Sequence, residues 1–418
     1  MNPSAASPAQ LQRRTVQTLV VTQAVGALGI TIGIATASLL ARKLSGSDKL
    51  AGMAQTAQVL GAALAALLLA RIMSRRGRRL GLVAGYLLGA AGCGIVVLAG
   101  VVESMPLLIL GAVLLGSTSS ANYAARYAAT DLATAQNRGR ALSVVVWATT
   151  IGAVLGPNLT GPAADAADVL GIPRLTGPFA LGAVGMLVAA LVVGTRLRPD
   201  PLLVARELHA GTTPTTAVAA PRLVDVLRER PVLVAAITGL AAAHAVMISV
   251  MVMTPLHMEH GHATLKIIGI VISLHVLGMF AFAPLVGLAS DRFGRVPVLA
   301  TGGVVLLVSL LLCAMAPEGS SHEIFAGLFL LGVGWSLATV SASTLVAEQA
   351  PLSALTTVQG GADLVMNLAA AGGSAFSGVI VGELGFPALA GFASVFAAVV
   401  LVAAVLAAQL VRRPPLAA

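Results

Sequence analysis

Met247 and Met251 lie one helical turn apart in one apolar stretch, and His275 and Met279 lie one turn apart in the next. Thioether sulfur and neutral imidazole nitrogen are ligands for a soft monovalent ion such as Cu(I). At a spacing of four residues, each pair presents both donors on one face of a helix. His244 extends the first pair, because residues 244, 247 and 251 fall within about 60° of one another at 3.6 residues per turn. Between the two stretches, His257, Met258, His260 and His262 crowd three imidazoles and a thioether into six positions. Such a run could collect a metal ion and pass it to the pairs below. The same pairs also arise as ordinary packing, since Met fills irregular gaps in apolar cores. Spacing alone leaves both readings open.

What must position these side chains is a membrane-spanning framework. The 418 residues are 57% hydrophobic and only 10% charged, with a mean hydropathy of +0.95, far from the soluble average. Twelve apolar stretches are predicted at 16–41, 51–70, 80–102, 107–130, 141–159, 179–194, 232–254, 267–289, 298–315, 324–346, 357–381 and 387–411. Most are long enough to cross about 30 Å of hydrocarbon as helices. The expected fold class is therefore all-α integral membrane. Pro255 is expected to end or bend the seventh segment, which leaves 257–262 as a short outer loop. On that register Met251 and Met247 lie about 6 and 12 Å below the outer end, and His275 and Met279 about 15 and 20 Å.

The net charge of +9 is distributed for topology. With both termini inside, cytoplasmic segments carry 19 of the 25 Lys and Arg residues, five lie outside, and Arg126 falls within a segment. That asymmetry follows the positive-inside rule, so orientation explains the charge and no nucleic-acid partner is expected. The first apolar stretch is long enough to span, so a cleavable signal is not expected. Cys93 and Cys313 both fall inside apolar segments, which indicates neither a disulfide framework nor a thiolate site. No nucleotide-binding glycine loop or nucleophile motif is present, so an enzyme is not expected, and no cofactor is implied.

The chain divides in two. Residues 196–231 are rich in Pro, Thr, Ala and charge and read as a cytoplasmic linker, with one short amphipathic stretch at 223–227. The expected domains are a six-helix bundle at 1–195 and a second at 232–418. Between segments 8 and 9 stands Gly287-Leu-Ala-Ser-Asp291-Arg292-Phe-Gly294-Arg295, and between segments 2 and 3 stands Ser74-Arg75-Arg76-Gly77-Arg78-Arg79. Aligning Gly77 with Gly294 gives an offset of 217 residues, about half the chain, the mark of a repeated six-helix unit.

Polar residues within the segments are costly and are functional candidates by default. Arg126 lies in segment 4 with Asn122 one turn before it and Asp131 near the boundary. It reads either as a gate or proton-linked group or as a structural ion pair with Asp131. Asp363 has Gln359 and Asn367 four residues to either side, so the three share a helical face. Asp363 is the best carboxylate for proton coupling; capping or pairing near the cytoplasmic surface is the alternative.

These features carry a family resemblance. Along nearly its whole length the chain resembles a major facilitator superfamily transporter, and Gly287 to Arg295 are similar to that family's cytoplasmic signature G-x-x-x-D-R-x-G-R. The resemblance implies that Asp291, Arg292 and Arg295 latch neighbouring helix ends. The first copy departs from it, with Ser74 in place of the Asp. Gly152-Ala-Val-Leu-Gly156-Pro157 resembles the G-x-x-x-G-P element of proton-coupled antiporters, and equally suits a close-packed, kinked helix. The M-x-x-x-M of segment 7 followed by the H-x-x-x-M of segment 8 resembles the CcoA-like copper importers of bacterial inner membranes. That resemblance implies Met247, Met251, His275 and Met279 as ligands for copper as transported substrate.

The expectation is thus a monomeric secondary transporter of a bacterial inner membrane, with both termini cytoplasmic, importing copper by alternating access. The alternative is a proton-coupled antiporter of a drug or small organic metabolite, riboflavin-like for example. A non-transporting receptor or scaffold is a third class, disfavoured because no extramembrane domain is present to relay a signal.

Overall fold

The computed structural model describes residues 7–46, 53–210, 222–263, 265–319 and 321–411, and among these it is wholly helical apart from turns. The helices are α1 (Pro8–Ser45), α2 (Met53–Arg76), α3 (Arg78–Val101), α4 (Met105–Ala128), α5 (Arg138–Leu170) and α6 (Gly177–Arg196). Two short helices follow, α7 (Pro201–Ala210) and α8 (Leu223–Glu229). The rest are α9 (Pro231–His260), α10 (Leu265–Phe280), α11 (Ala283–Phe293), α12 (Arg295–Met315), α13 (His322–Gln349), α14 (Leu355–Leu384) and α15 (Phe386–Val411). Among the described residues, twelve spans are long and apolar enough to cross a membrane. A helix is the natural state for such sequences, because lipid offers backbone polar groups no partner and each must bond within its own segment.

The helix starts are written locally. Ser7 caps α1 in a reciprocal box with Gln10, with Pro8 in the first turn. Ser104 accepts from Leu107 N at the start of α4, and Ser321 accepts from Ile324 N at the start of α13. The amphipathic stretch expected at 223–227 forms α8.

Two expectations are corrected. Pro255 does not end its helix: α9 continues through it to His260. Proline removes one donor and disturbs the carbonyl four residues before it, and in membrane helices such a local loss is tolerated because neighbouring groups compensate. The eighth span is not one helix, since α10 ends at Phe280 and α11 begins at Ala283.

The chain forms two compact units. One comprises Met1–Ala133, Ala148–Ala220 and Leu352–Leu364, the other Thr134–Trp147, Pro221–Pro351 and Val365–Ala418. The start of α5 thus groups with the later helices, and the start of α14 with the earlier ones. In the second unit α9 is buried along most of its length, as befits a helix apolar on every side.

Candidate functional site

In the second unit, α9, α10 and α13 bring three of the four soft residues together around an indole. Met247, Met279 and Trp335 form a buried cluster, with Ile248, Met251 and Phe280 packed against it. Trp335 Nε1 donates to His244 Nδ1 at 2.9 Å, and the Phe280 ring meets the indole edge-on with centroids 5.6 Å apart. An indole nitrogen only donates, so His244 Nδ1 is unprotonated and the neutral ring carries its proton on Nε2. Neither nitrogen of His244 is then free to ligate a metal. The Met247 and Met279 side chains are buried against the indole and Met251 packs on the same cluster.

His275 is oriented by a different neighbour. Its Nδ1 lies 2.9 Å from the Leu328 carbonyl of α13, which can only accept, so Nδ1 carries the proton and Nε2 presents a lone pair. That Nε2 is buried and has no hydrogen-bond partner. Close packing of α10 on α13 sets this geometry: a Cβ at Gly332 would overlap the His275 carbonyl oxygen.

The proposed uptake run does not form an outer loop. His257, Met258 and His260 belong to the last turns of α9. The His257 ring is buried and stacks on Phe386 with centroids 4.2 Å apart, and Met258 is fully buried. Only His260 and His262 are exposed, and His262 takes a positive φ of 60°. Among the described residues, no three His, Cys, Asp or Glu side chains gather closely enough to hold a metal ion.

The first unit holds a buried charge network that sequence pairing does not anticipate. Arg126 bonds Asp363 Oδ1 at 2.6 Å, both side chains being buried, and its guanidinium lies over the rings of Tyr123 and Tyr127. Asp131 is therefore not its partner. Instead Arg78 grips Asp131 with two hydrogen bonds of 2.8 Å and donates a third, of 2.7 Å, to Gln359 Oε1. Burial pushes the Asp131 carboxyl up from its ordinary value, and the Arg78 guanidinium opposes that shift. Met73, Arg78, Tyr127, Gln359 and Asp363 border a space of about 10 Å³, enough for one water molecule. Asn367, the third polar residue of that α14 face, is buried as well.

The two glycine turns are built alike. Gly294 precedes α12 at φ 95°, and Gly77 precedes α3 at φ 86°, a region that favours glycine. Asp291 accepts from Gly139 N and Arg140 N at the start of α5 and pairs with Arg295 at 2.9 Å. Arg295 also bonds Glu348 and the Ala135 carbonyl. Arg292 is exposed, its guanidinium near the Phe293 ring. At the other turn, where Ser74 stands, the carboxylate comes from Asp200 after α6, which accepts from Arg79 N at 2.8 Å. Arg206 of α7 adds a bond to the Ser74 carbonyl. Within α5, Cβ atoms at Gly152 and Gly156 would strike α1 at Leu28 and Thr31, so this element is a close helix contact.

Sequence reasoning missed the parts played by Trp335 and Asp200 and the partner of Arg78, while Gln359 was placed on the Asp363 face without its bond to Arg78. Trp335 is one of only two tryptophans. The 217-residue offset also carries Asp131 onto Glu348 and Arg78 onto Arg295, so the repeat held the signal for the Arg78–Asp131 pair.

The uncharacterized MFS-type transporters YddS and YdeG of Bacillus subtilis (strain 168) are 34% and 33% identical to this chain. Each match covers 91% of the chain, and 87% and 88% of the respective relative. The riboflavin transporter RfnT of Brucella anthropi is 29% identical over 90% of both chains. In fold, the chain is similar to the proton:xylose symporter XylE, with a TM-score of 0.75 at 15% identity over 96% of each chain. It is likewise similar to the human organic anion transporter MFSD10 (TETRAN), with a TM-score of 0.73 at 16% identity over 95% of this chain and 99% of that one. The family model of the Major Facilitator Superfamily matches residues 19–267 and 247–418, and with twelve spans and a repeated glycine turn the chain belongs to that superfamily of membrane transporters.

Proposed function

We propose that this transporter carries a small planar organic molecule across a bacterial inner membrane by alternating access, with both termini cytoplasmic. The observation that carries this reading is the Trp335 cluster. An indole fixed by His244 and flanked by Phe280, Met247 and Met279 offers stacking and dispersion to an aromatic ring system and few groups to a hard ion. Similarity to a riboflavin transporter supports the same class of cargo. Asp363 is the group we assign to proton exchange. Its ion pair with Arg126 is buried, so a proton on Asp363 would leave an unbalanced cation inside the protein, a state that favours rearrangement.

Uptake of labelled riboflavin by cells that lack their own importer tests the reading. The chain should confer uptake, and Trp335→Ala should abolish it at unchanged protein level. A wild type that moves no aromatic organic substrate sinks it.

One observation favours a second reading, copper import. His275 has the form of a ligand held from behind, with Nδ1–H on a backbone carbonyl and Nε2 buried without a partner. Cellular copper accumulation that falls in both His275→Ala and Met247→Ala would support this reading, and normal accumulation in both would remove it.

A further inference from the structure

Two carboxamides in the first unit each keep one end of the amide uncommitted. Gln23 of α1 donates from Nε2 to Thr149 Oγ1 at 3.0 Å, while its Oε1 is buried and has no partner. Gln23 itself is 6% exposed, as is Asn122 of α4. Asn122 Oδ1 accepts from the Tyr86 hydroxyl at 2.8 Å, and its amide nitrogen has no hydrogen-bond partner among the described residues. The two are neighbours. Gln23 stands one turn before Gly26 on the same face of α1, and Asn122 Oδ1 lies 2.8 Å from where a Gly26 Cβ would be. The missing side chain at Gly26 is what lets Tyr86 and Asn122 approach α1 so closely.

We infer that Gln23 and Asn122 form a recognition subsite for a lactam or cyclic imide, a group that carries an N–H beside a carbonyl. One amide oxygen accepts the ligand's N–H and the other amide's nitrogen donates to its carbonyl. Thr149 and Tyr86 are hydroxyls that either donate or accept, so if both amides turn over together the pair still offers one donor and one acceptor. A buried amide with half its capacity unused weakens the fold unless something else pairs with it. Such sites discriminate strongly, because a ligand lacking the matching group leaves the protein's own polar atoms unpaired. The inference concerns the first unit alone and goes beyond the reading built on Trp335 in the second.

The test uses the purified full-length protein in lipid nanodiscs. The probes are riboflavin, its derivative methylated at the imide nitrogen, uracil and nicotinamide. Wild type should bind riboflavin at least about tenfold more tightly than the methylated derivative, the loss expected for one hydrogen bond. Gln23→Met and Asn122→Leu should erase that difference. Gln23→Met also removes the Nε2 bond to Thr149, so thermal unfolding is recorded for each variant, and a variant that stays folded yet keeps the preference for riboflavin overturns the subsite. Equal affinity for riboflavin and its methylated form in wild type overturns the subsite and leaves the organic-substrate reading intact. Failure of wild type to bind riboflavin and uracil, the two cyclic imides among the probes, also overturns it, as does binding of the open-chain amide nicotinamide alone. Trp335-dependent uptake of some other aromatic compound would then show that the broader reading survives.

Discussion

The turn at Gly77 and the turn at Gly294 come from one repeated unit, yet their charges are arranged differently. Both place glycine at positive φ ahead of a helix, and both follow it with an arginine that reaches a carboxylate near the end of a distant helix. In the first, Arg78 and Asp131 have side chains 1% and 0% exposed. In the second, Arg295 and Glu348 are 10% and 18% exposed, and Asp291 adds a second carboxylate that caps the start of α5. The first turn lacks that acid in its own sequence and takes Asp200 from beyond α6. Repetition conserves the place where a carboxylate is needed without fixing which residue supplies it. Depth then decides how much each pair matters.

If burial is the difference that counts, Arg78→Ala has the largest effect. It leaves Asp131 buried without its partner and Gln359 short of a donor, which should cost about 3–5 kcal/mol. The measurement is thermal unfolding in detergent. Arg78→Lys should recover only part of the loss, because an ammonium cannot make the two-pronged contact with Asp131. A loss as small as that of a surface pair would break the comparison.

Glycine replacement sharpens it. Both Gly77→Ala and Gly294→Ala force a side chain into the left-handed region, a cost of roughly 1–2 kcal/mol. At Gly77 the new Cβ would also fall 2.5 Å from Asp200 Oδ2, whereas at Gly294 the nearest atom is Pro297 Cδ at 3.5 Å. Gly77→Ala should therefore lower the melting temperature more, and Asp200→Ala in the same chain should narrow the gap. Equal shifts would show that Asp200 is not held where the turn needs it.

The smallest effect is expected for Asp291→Asn. Its carboxylate caps α5 and pairs with an arginine that keeps three other acceptors. Losing the charge while retaining an amide acceptor should cost about 0.5–1 kcal/mol in stability. A loss comparable to Arg78→Ala would put the weight on the outer latch instead.

Much of this was legible in the chain. Hydropathy placed all twelve spans, and Gly287 to Arg295 carried the superfamily resemblance that the family match bears out. The site was legible only in part. Met247, Met251 and Met279 could be placed on helical faces from their spacing, but Trp335, which lies far along the chain, organises them. His257 read as a loop residue because Pro255 was expected to end or bend the segment, whereas α9 continues to His260. Arg126 was offered Asp131, five residues away, when its partner stands 237 residues on.

The sequence by itself determined the twelve spans and the internal repeat, because hydropathy and capping act over a few turns of one segment. Only the tertiary structure decided which charges pair and which nitrogen of each histidine is occupied. Those outcomes depend on groups brought together by helix packing, where burial makes every unpaired polar atom costly. The soft pairs on α9 and α10 illustrate the division. Spacing put them on helical faces, and the packing of α13 set an indole beside the methionines and a carbonyl behind His275.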